Sequence, residues 1–100
     1  MKKIELSDHL KENRDKLDKL DYKIIALLDK RFKFVKQIAK IKKRYNIPIN
    51  QRKRINEVLN KRIEIGRKFN INHKFIRNIF KLLINESIKI QKNLLNNDLE

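Results

Sequence analysis

Only two residues of this 100-residue chain strongly interrupt regular structure, namely Pro48 and Gly66. A β-sheet protein of this size needs many turns, and glycine and proline are the residues that favour them. Two such residues are too few, so the sequence predicts an all-α protein built from long helices. A chain of this length forms one domain with a modest core, and we expect residues 1–100 to be a single helical domain.

Apolar residues recur at steps of three and four from about Glu5 to Tyr45, which predicts a long first helix. Ser7 or Asp8 is the expected cap at its start. Forty helical residues span about 60 Å, whereas a compact chain of 100 residues has a radius of gyration of about 13 Å. A helix this long implies a partner chain, and we expect a homodimer.

Two further helices follow from the same periodicity. We expect the second helix from about Asn50 to Ile65, with Asn50 as its cap and with Gly66 ending it in the left-handed conformation. We expect the third helix from about Asn72, again as the cap, to Leu95. The predicted architecture is a three-helix protomer.

Composition excludes several classes of protein. The chain has no cysteine, and His9 and His73 have no partner at ligand spacing, so we expect no metal site. No apolar run approaches the roughly 20 residues of a membrane span, and no signal-peptide pattern follows Met1, which favours a cytoplasmic protein. The net charge of +15 keeps a basic helical nucleic-acid-binding module open as an alternative, although no groove-reading helix stands out.

Polar side chains interrupt the apolar faces of all three predicted helices. These positions are Arg14, Arg31, Lys42, Arg54, Ser87 and Gln91. Any one of the cations could reach solvent or pair with a carboxylate. Together, four cations and two hydrogen-bonding side chains favour a pocket for a small anion with more than one carboxylate, because arginine binds carboxylates through two parallel hydrogen bonds.

Spacing along the first helix limits which cations can share one ligand. Arg31 and Lys42 lie about 16 Å apart along a helix axis, so their long side chains can converge on one small molecule. Arg14 lies about 25 Å from Arg31 and cannot easily reach the same ligand. It could reach the pocket of a partner chain if two first helices pair antiparallel.

The segment from Leu17 to Arg31 resembles the corresponding part of the all-helical chorismate mutases. The resemblance continues over nearly the whole chain through Lys42, Pro48, Arg54, Gly66, Ser87 and Gln91. It implies a domain-swapped homodimer with two equivalent shared sites, a small dicarboxylate substrate and no cofactor. The implied reaction is the Claisen rearrangement of chorismate to prephenate, on the route to phenylalanine and tyrosine.

The resemblance also implies a role for each polar residue. Arg31 would hold one substrate carboxylate, the partner chain's Arg14 the other, and Ser87 would assist carboxylate binding. Lys42 and Gln91 would donate hydrogen bonds to the ether oxygen of the breaking bond, and Arg54 would line the pocket near the ring. This arrangement needs no nucleophile and no metal, since a pericyclic step gains from holding a reactive conformer and from donors aimed at developing charge.

The chain departs from this family where two carboxylates usually bind the ring hydroxyl, because Gln51 and Ile55 occupy those positions. Gln51 can still hydrogen-bond a hydroxyl, whereas Ile55 cannot. Similar replacements occur in relatives that act on other members of this substrate group. An isochorismate-pyruvate lyase or a 4-amino-4-deoxychorismate mutase of the same fold is therefore the main alternative.

Overall fold

The computed structural model describes the backbone of residues 3–99 and the side chains of residues 5–96. It contains three helices, α1 (Lys3–Arg44), α2 (Arg52–Lys68) and α3 (His73–Leu99), and no strand within the described backbone. The predicted all-α class and the number of helices are confirmed. The chain divides into two compact units, residues 1–33 and residues 34–100, which are described separately below.

The predicted cap of α1 is wrong. The helix is already formed at Lys3, so Ser7 and Asp8 lie inside it. Residues 9–12 continue the helix with side chains that are exposed to solvent. An exposed serine or aspartate inside a helix is only weakly unfavourable, and the strong helix formers around these two residues outweigh that preference.

Asparagine, and not glycine, ends both α1 and α2. Asn46 has φ of 54°, in the left-handed region. The N–H of Ile47 donates to the carbonyl of Lys42 at 2.8 Å, and the N–H of Asn46 donates to Lys43 at 3.4 Å. This pair of bonds is the Schellman motif, which satisfies carbonyls that the last helical turn leaves without a partner.

The end of α2 repeats the motif one helix later. Asn70 has φ of 55°. The N–H of Ile71 donates to Gly66 at 3.0 Å, and the N–H of Asn70 donates to Arg67 at 3.1 Å. Asparagine tolerates the left-handed region better than other residues that carry a Cβ, so it can take the place of glycine here.

Gly66 therefore does not end α2, and this prediction is wrong. It lies inside the helix, is buried and has no positive φ. A Cβ at this position would lie 2.7 Å from Cγ1 of Ile76. The glycine serves close packing of α2 on α3, which a Cβ would prevent without movement of Ile76.

The two predicted caps after the loops have different outcomes. The cap of α2 is Gln51, whose side chain makes no capping hydrogen bond, so the prediction of Asn50 is wrong by one residue. The cap of α3 is confirmed, because Oδ1 of Asn72 accepts a hydrogen bond from the N–H of Phe75 at 3.1 Å. A side-chain acceptor for the third N–H of a helix is the usual function of an N-cap asparagine.

The core of residues 34–100 is small. Its buried apolar side chains come from the end of α1 and from α2, namely Val35, Ala39, Val58, Leu59 and Ile63. Helix α3 packs on α2 and contributes two buried polar residues, Ser87 and Gln91. At one edge of this packing, the guanidinium carbon of Arg62 lies 5.8 Å from the ring centre of Phe80, a cation–π distance.

The unit of residues 1–33 is the first part of α1, and it exposes a long apolar face. Six large side chains at helical spacing are at least half exposed in the protomer, namely Leu6, Leu10, Leu17, Leu20, Ile24 and Leu27. A run of this kind along one helix is larger than the scattered apolar residues that a soluble surface normally carries.

Candidate active site

Two polar side chains of α3 point into the core of residues 34–100. Ser87 is 7% exposed and Gln91 is 6% exposed. They lie on adjacent turns of one helix face, as the apolar periodicity predicts. The Oγ of Ser87 donates to the carbonyl of Leu83 at 2.7 Å, which holds the hydroxyl against its own helix.

Lys42 brings a cation to this polar face from the last turn of α1. Its Nζ donates to Oε1 of Gln91 at 3.0 Å and to the main-chain carbonyl of Ile49 at 2.9 Å. Three segments of the chain thus meet at one ammonium, namely the end of α1, the connection between α1 and α2, and α3. Both acceptors are neutral oxygens, so the positive charge of Lys42 is not cancelled by its two protein acceptors.

Burial lowers the pKa of Lys42 from its ordinary value of 10.5. The physical cause is desolvation, since removing water from an ammonium disfavours the charged form. A partly desolvated cation that is bonded to neutral oxygens attracts an anionic or electron-rich ligand more strongly than a solvated surface lysine does.

The contact between Lys42 and Gln91 fixes which atoms remain available to a ligand. Lysine only donates, so the amide of Gln91 must present its oxygen to Nζ. The NH₂ group of Gln91 is then left to donate elsewhere. An ammonium has three hydrogens, two of which are directed to Gln91 and Ile49, so one remains for a ligand.

Two predicted site residues at the start of α2, the cap Gln51 and Arg54, lie at the surface of the protomer. Gln51 and Arg54 are exposed, and the Arg54 guanidinium lies 3.9 Å from the carboxylate of Glu57, with both side chains about half exposed. An exposed pair at this distance contributes little to stability, so Arg54 can exchange this partner for a ligand.

Ile55 is half-buried beside a cleft of about 440 Å³ between the start of α2 and α3. Eight residues line this cleft, namely Asn50, Arg52, Ile55, Asn56, Leu59, Lys81, Ile84 and Asn85. The lining holds amides, cations and apolar side chains and contains no carboxylate. At Ile55, where the sequence differs from the family pattern, the lining of the cleft therefore offers amide groups and no carboxylate.

Arg14 and Arg31 belong to the unit of residues 1–33. Arg14 is exposed, and Arg31 is half-buried. Their part in the site stays a prediction from the resemblance and from helix spacing, whereas Lys42 and Gln91 are joined directly and Ser87 is buried one turn before Gln91.

The sequence analysis missed the carbonyl of Ile49. Every residue has a main-chain carbonyl, so no side-chain pattern marks the one that accepts from the half-buried lysine. The available signal is indirect, since an asparagine and a proline close together after a helix predict a tight connection that returns toward the helix end.

A family model described as chorismate mutase type II matches residues 13–92. The chain belongs to this family. The matched range includes Lys42, Gln91 and all of the other predicted site residues. Within the described residues, no helix is long and apolar enough to cross a membrane, and no cluster of histidine and acidic side chains could hold a metal ion.

Relatives of two kinds match the chain, namely a chorismate mutase of similar length and much longer bifunctional proteins. The chorismate mutase of Methanocaldococcus jannaschii is 31% identical over 88 residues, which cover 88% of this chain and 89% of the relative. The bifunctional chorismate mutase/prephenate dehydratase of Buchnera aphidicola subsp. Schizaphis graminum is 40% identical over 83 residues, or 83% of this chain. The corresponding bifunctional protein of Escherichia coli K12 is 29% identical over 82 residues. The chain spans about a fifth of the length of these two bifunctional relatives, 22% and 21% respectively.

Proposed function

We propose that this protein catalyses the rearrangement of chorismate to prephenate. The observation that carries the proposal is the bonded pair of Lys42 and Gln91, at 3.0 Å, on a buried polar face. The pair presents two N–H donors, one from each side chain, and no nucleophile. A pericyclic reaction is accelerated by donors of this kind and passes through no covalent intermediate with the protein.

In this mechanism both donors act on the ether oxygen of the substrate. That oxygen gains negative charge as its C–O bond breaks and the new C–C bond forms. A donor already held in place stabilises this charge without reorganising at the moment of reaction. The burial of Lys42 strengthens the effect, because electrostatic attraction grows when water is excluded.

The carboxylates of the substrate are assigned to the arginines. Arg31 binds one of them, Arg14 of a second copy binds the other, and Ser87 assists. The clamp holds the substrate in its compact, reactive conformer, and orientation of this kind accounts for a large part of the catalysis in such a step.

The same proposal includes a homodimer with shared sites. The six exposed apolar residues between Leu6 and Leu27 lie on the part of α1 that carries Arg14. Burying such a face against a second copy removes it from water and is favourable. An antiparallel arrangement would also bring Arg14 to the partner's Lys42 and Gln91.

The decisive experiment offers chorismate, isochorismate and 4-amino-4-deoxychorismate separately to the purified protein and identifies the products. We expect prephenate from chorismate, and Lys42→Ala should abolish its formation. If salicylate and pyruvate form from isochorismate, or if the amino compound reacts faster than chorismate, the function belongs to the corresponding relative.

The second candidate, an enzyme acting on isochorismate or the amino compound, is favoured by Gln51 and Ile55, which stand where the family usually has two carboxylates. If chorismate is the substrate, Ile55→Glu should lower its KM, since a charge-assisted hydrogen bond to the ring hydroxyl contributes about 1–3 kcal/mol. Ile55→Gln is the neutral control of similar length. If a folded Ile55→Glu protein loses activity on chorismate while Ile55→Gln keeps it, the ring hydroxyl is recognised elsewhere.

A further inference from the structure

The connection between α1 and α2 is bonded to Lys42 at two points. The main-chain carbonyl of Lys42 accepts from the N–H of Ile47 at 2.8 Å, and Nζ of the same residue donates to the carbonyl of Ile49 at 2.9 Å. The connection therefore turns back over Lys42, which lies five positions before Ile47 and seven before Ile49. Lys42 is held at its backbone and at the tip of its side chain by the same short connection.

The turn depends on the backbone of Asn46. Its φ of 54° reverses the chain at the end of α1. The ring of Pro48 then fixes its own φ, and Pro48 lies between Ile47 and Ile49, the two residues that bond to Lys42. A residue with a branched Cβ is strongly disfavoured in the left-handed region, an alanine less so, and a glycine not at all.

We propose that Asn46 is a positioning residue for the reaction, because its left-handed backbone brings the carbonyl of Ile49 to the ammonium of Lys42. With that carbonyl and Gln91 each accepting one hydrogen, the third N–H points to the substrate. The inference rests on the proposed function for its kinetic consequence only. The placement of the ammonium can be measured without any substrate.

Asn70 provides a matched control within the same chain. It has almost the same φ, 55°, and ends α2 with the same pair of Schellman hydrogen bonds. Among the residues that the structure describes, no hydrogen bond joins it to Lys42, whose side chain bonds to Ile49 and Gln91. Substituting Asn70 reproduces the backbone strain of an Asn46 variant and leaves the connection over Lys42 intact.

The test compares Asn46→Val, Asn46→Ala and Asn46→Gly with Asn70→Val in the full chain. Steady-state kinetics on chorismate give kcat and KM, and ¹⁵N relaxation of the Lys42 ammonium gives its order without substrate. We expect Asn46→Val to lower kcat about 10²-fold, with a smaller change in KM, since a small misplacement of a reacting group has this effect. Asn46→Ala should show a smaller loss and remains informative if the valine variant does not fold.

The ammonium should be mobile in Asn46→Val and ordered in wild type, Asn46→Gly and Asn70→Val. Asn46→Gly should have a kcat close to that of wild type, unlike Asn46→Val, since glycine adopts the required φ without strain. The proposal is overturned if Asn46→Val and Asn46→Ala leave the ammonium ordered, or if Asn70→Val lowers kcat by the same factor. If wild type does not convert chorismate, the proposed function fails, and the relaxation comparison still decides the role of Asn46.

Discussion

Substituting methionine for Gln91 tests the assignment of the two donors. Methionine keeps most of the side-chain volume, so a position only 6% exposed can accept it without a large cavity. The substitution removes the oxygen that accepts from Lys42 at 3.0 Å and the NH₂ group assigned to the ether oxygen. It therefore has one expected effect on stability and a separate expected effect on catalysis.

The two magnitudes follow from the contacts. A hydrogen bond to a charged group contributes about 1.5–3 kcal/mol, and apolar burial of methionine offsets part of it, so the free energy of unfolding should fall by about 1–2 kcal/mol. One lost donor in a preorganised site lowers kcat by about 10²–10³. KM should change much less, because the charge on the ether oxygen develops only in the transition state.

The assay follows the disappearance of chorismate at several concentrations, together with urea unfolding of the same preparations. Gln37→Met is the matched control, because Gln37 is an exposed glutamine of α1 and undergoes the same chemical change. The control should keep the wild-type kcat. If a folded Gln91→Met protein keeps kcat within about threefold of wild type, or loses activity only through KM, Gln91 does not act on the transition state.

Three further perturbations have definite expected outcomes. Burial lowers the pKa of Lys42, and deprotonation removes the positive charge that makes its N–H groups strong donors, so kcat/KM should fall on the alkaline side at a pH below 10.5; a fall only at or above 10.5 would contradict the partly buried placement. The penalty that this burial imposes on folding is present at neutral pH and shrinks as the pH rises from the folded-state pKa toward 10.5. Mixing inactive Arg14→Ala and Lys42→Ala proteins should restore about a quarter of the wild-type sites if subunits exchange and share sites, and no recovery after demonstrated exchange counts against sharing. Gly66→Ala should lower the free energy of unfolding by up to about 2 kcal/mol, since a clash at 2.7 Å from Ile76 outweighs the helix-propensity gain of about 1 kcal/mol, and urea unfolding that shows a stabilised protein would refute the close packing.

The helices could be predicted from apolar periodicity, but their ends could not be predicted fully. The expectation that Gly66 ends α2 followed the usual preference of glycine for the left-handed position. In the structure the space beside Ile76 requires a residue without a Cβ, and Asn70 takes the left-handed position four residues later. Tertiary packing decided the use of the glycine, and a single sequence does not show which helix faces will approach most closely.

The inward placement of Ser87 and Gln91 could be predicted, because both continue an apolar stripe at helical spacing. The contact between Lys42 and Gln91 could be expected only through the resemblance, since the two residues lie 49 positions apart. Periodicity identifies which face of each helix is inward but contains no information on which inward side chains meet. The carbonyl of Ile49 had no side-chain signal at all.

The buried polar groups of α3 are held in two different ways, and the difference determines how the site can fail. The hydroxyl of Ser87 bonds to Leu83 within its own helix, so that bond persists wherever α3 is formed. Gln91 is fixed by Lys42 from another helix, and Lys42 is fixed in turn by the carbonyl of Ile49 in a connection without regular structure. A change in that connection can therefore release the ammonium while all three helices remain intact. Activity should then be lost well before helix content or the free energy of unfolding reports any damage, because the donors depend on a connection that supplies none of the buried apolar side chains of the core.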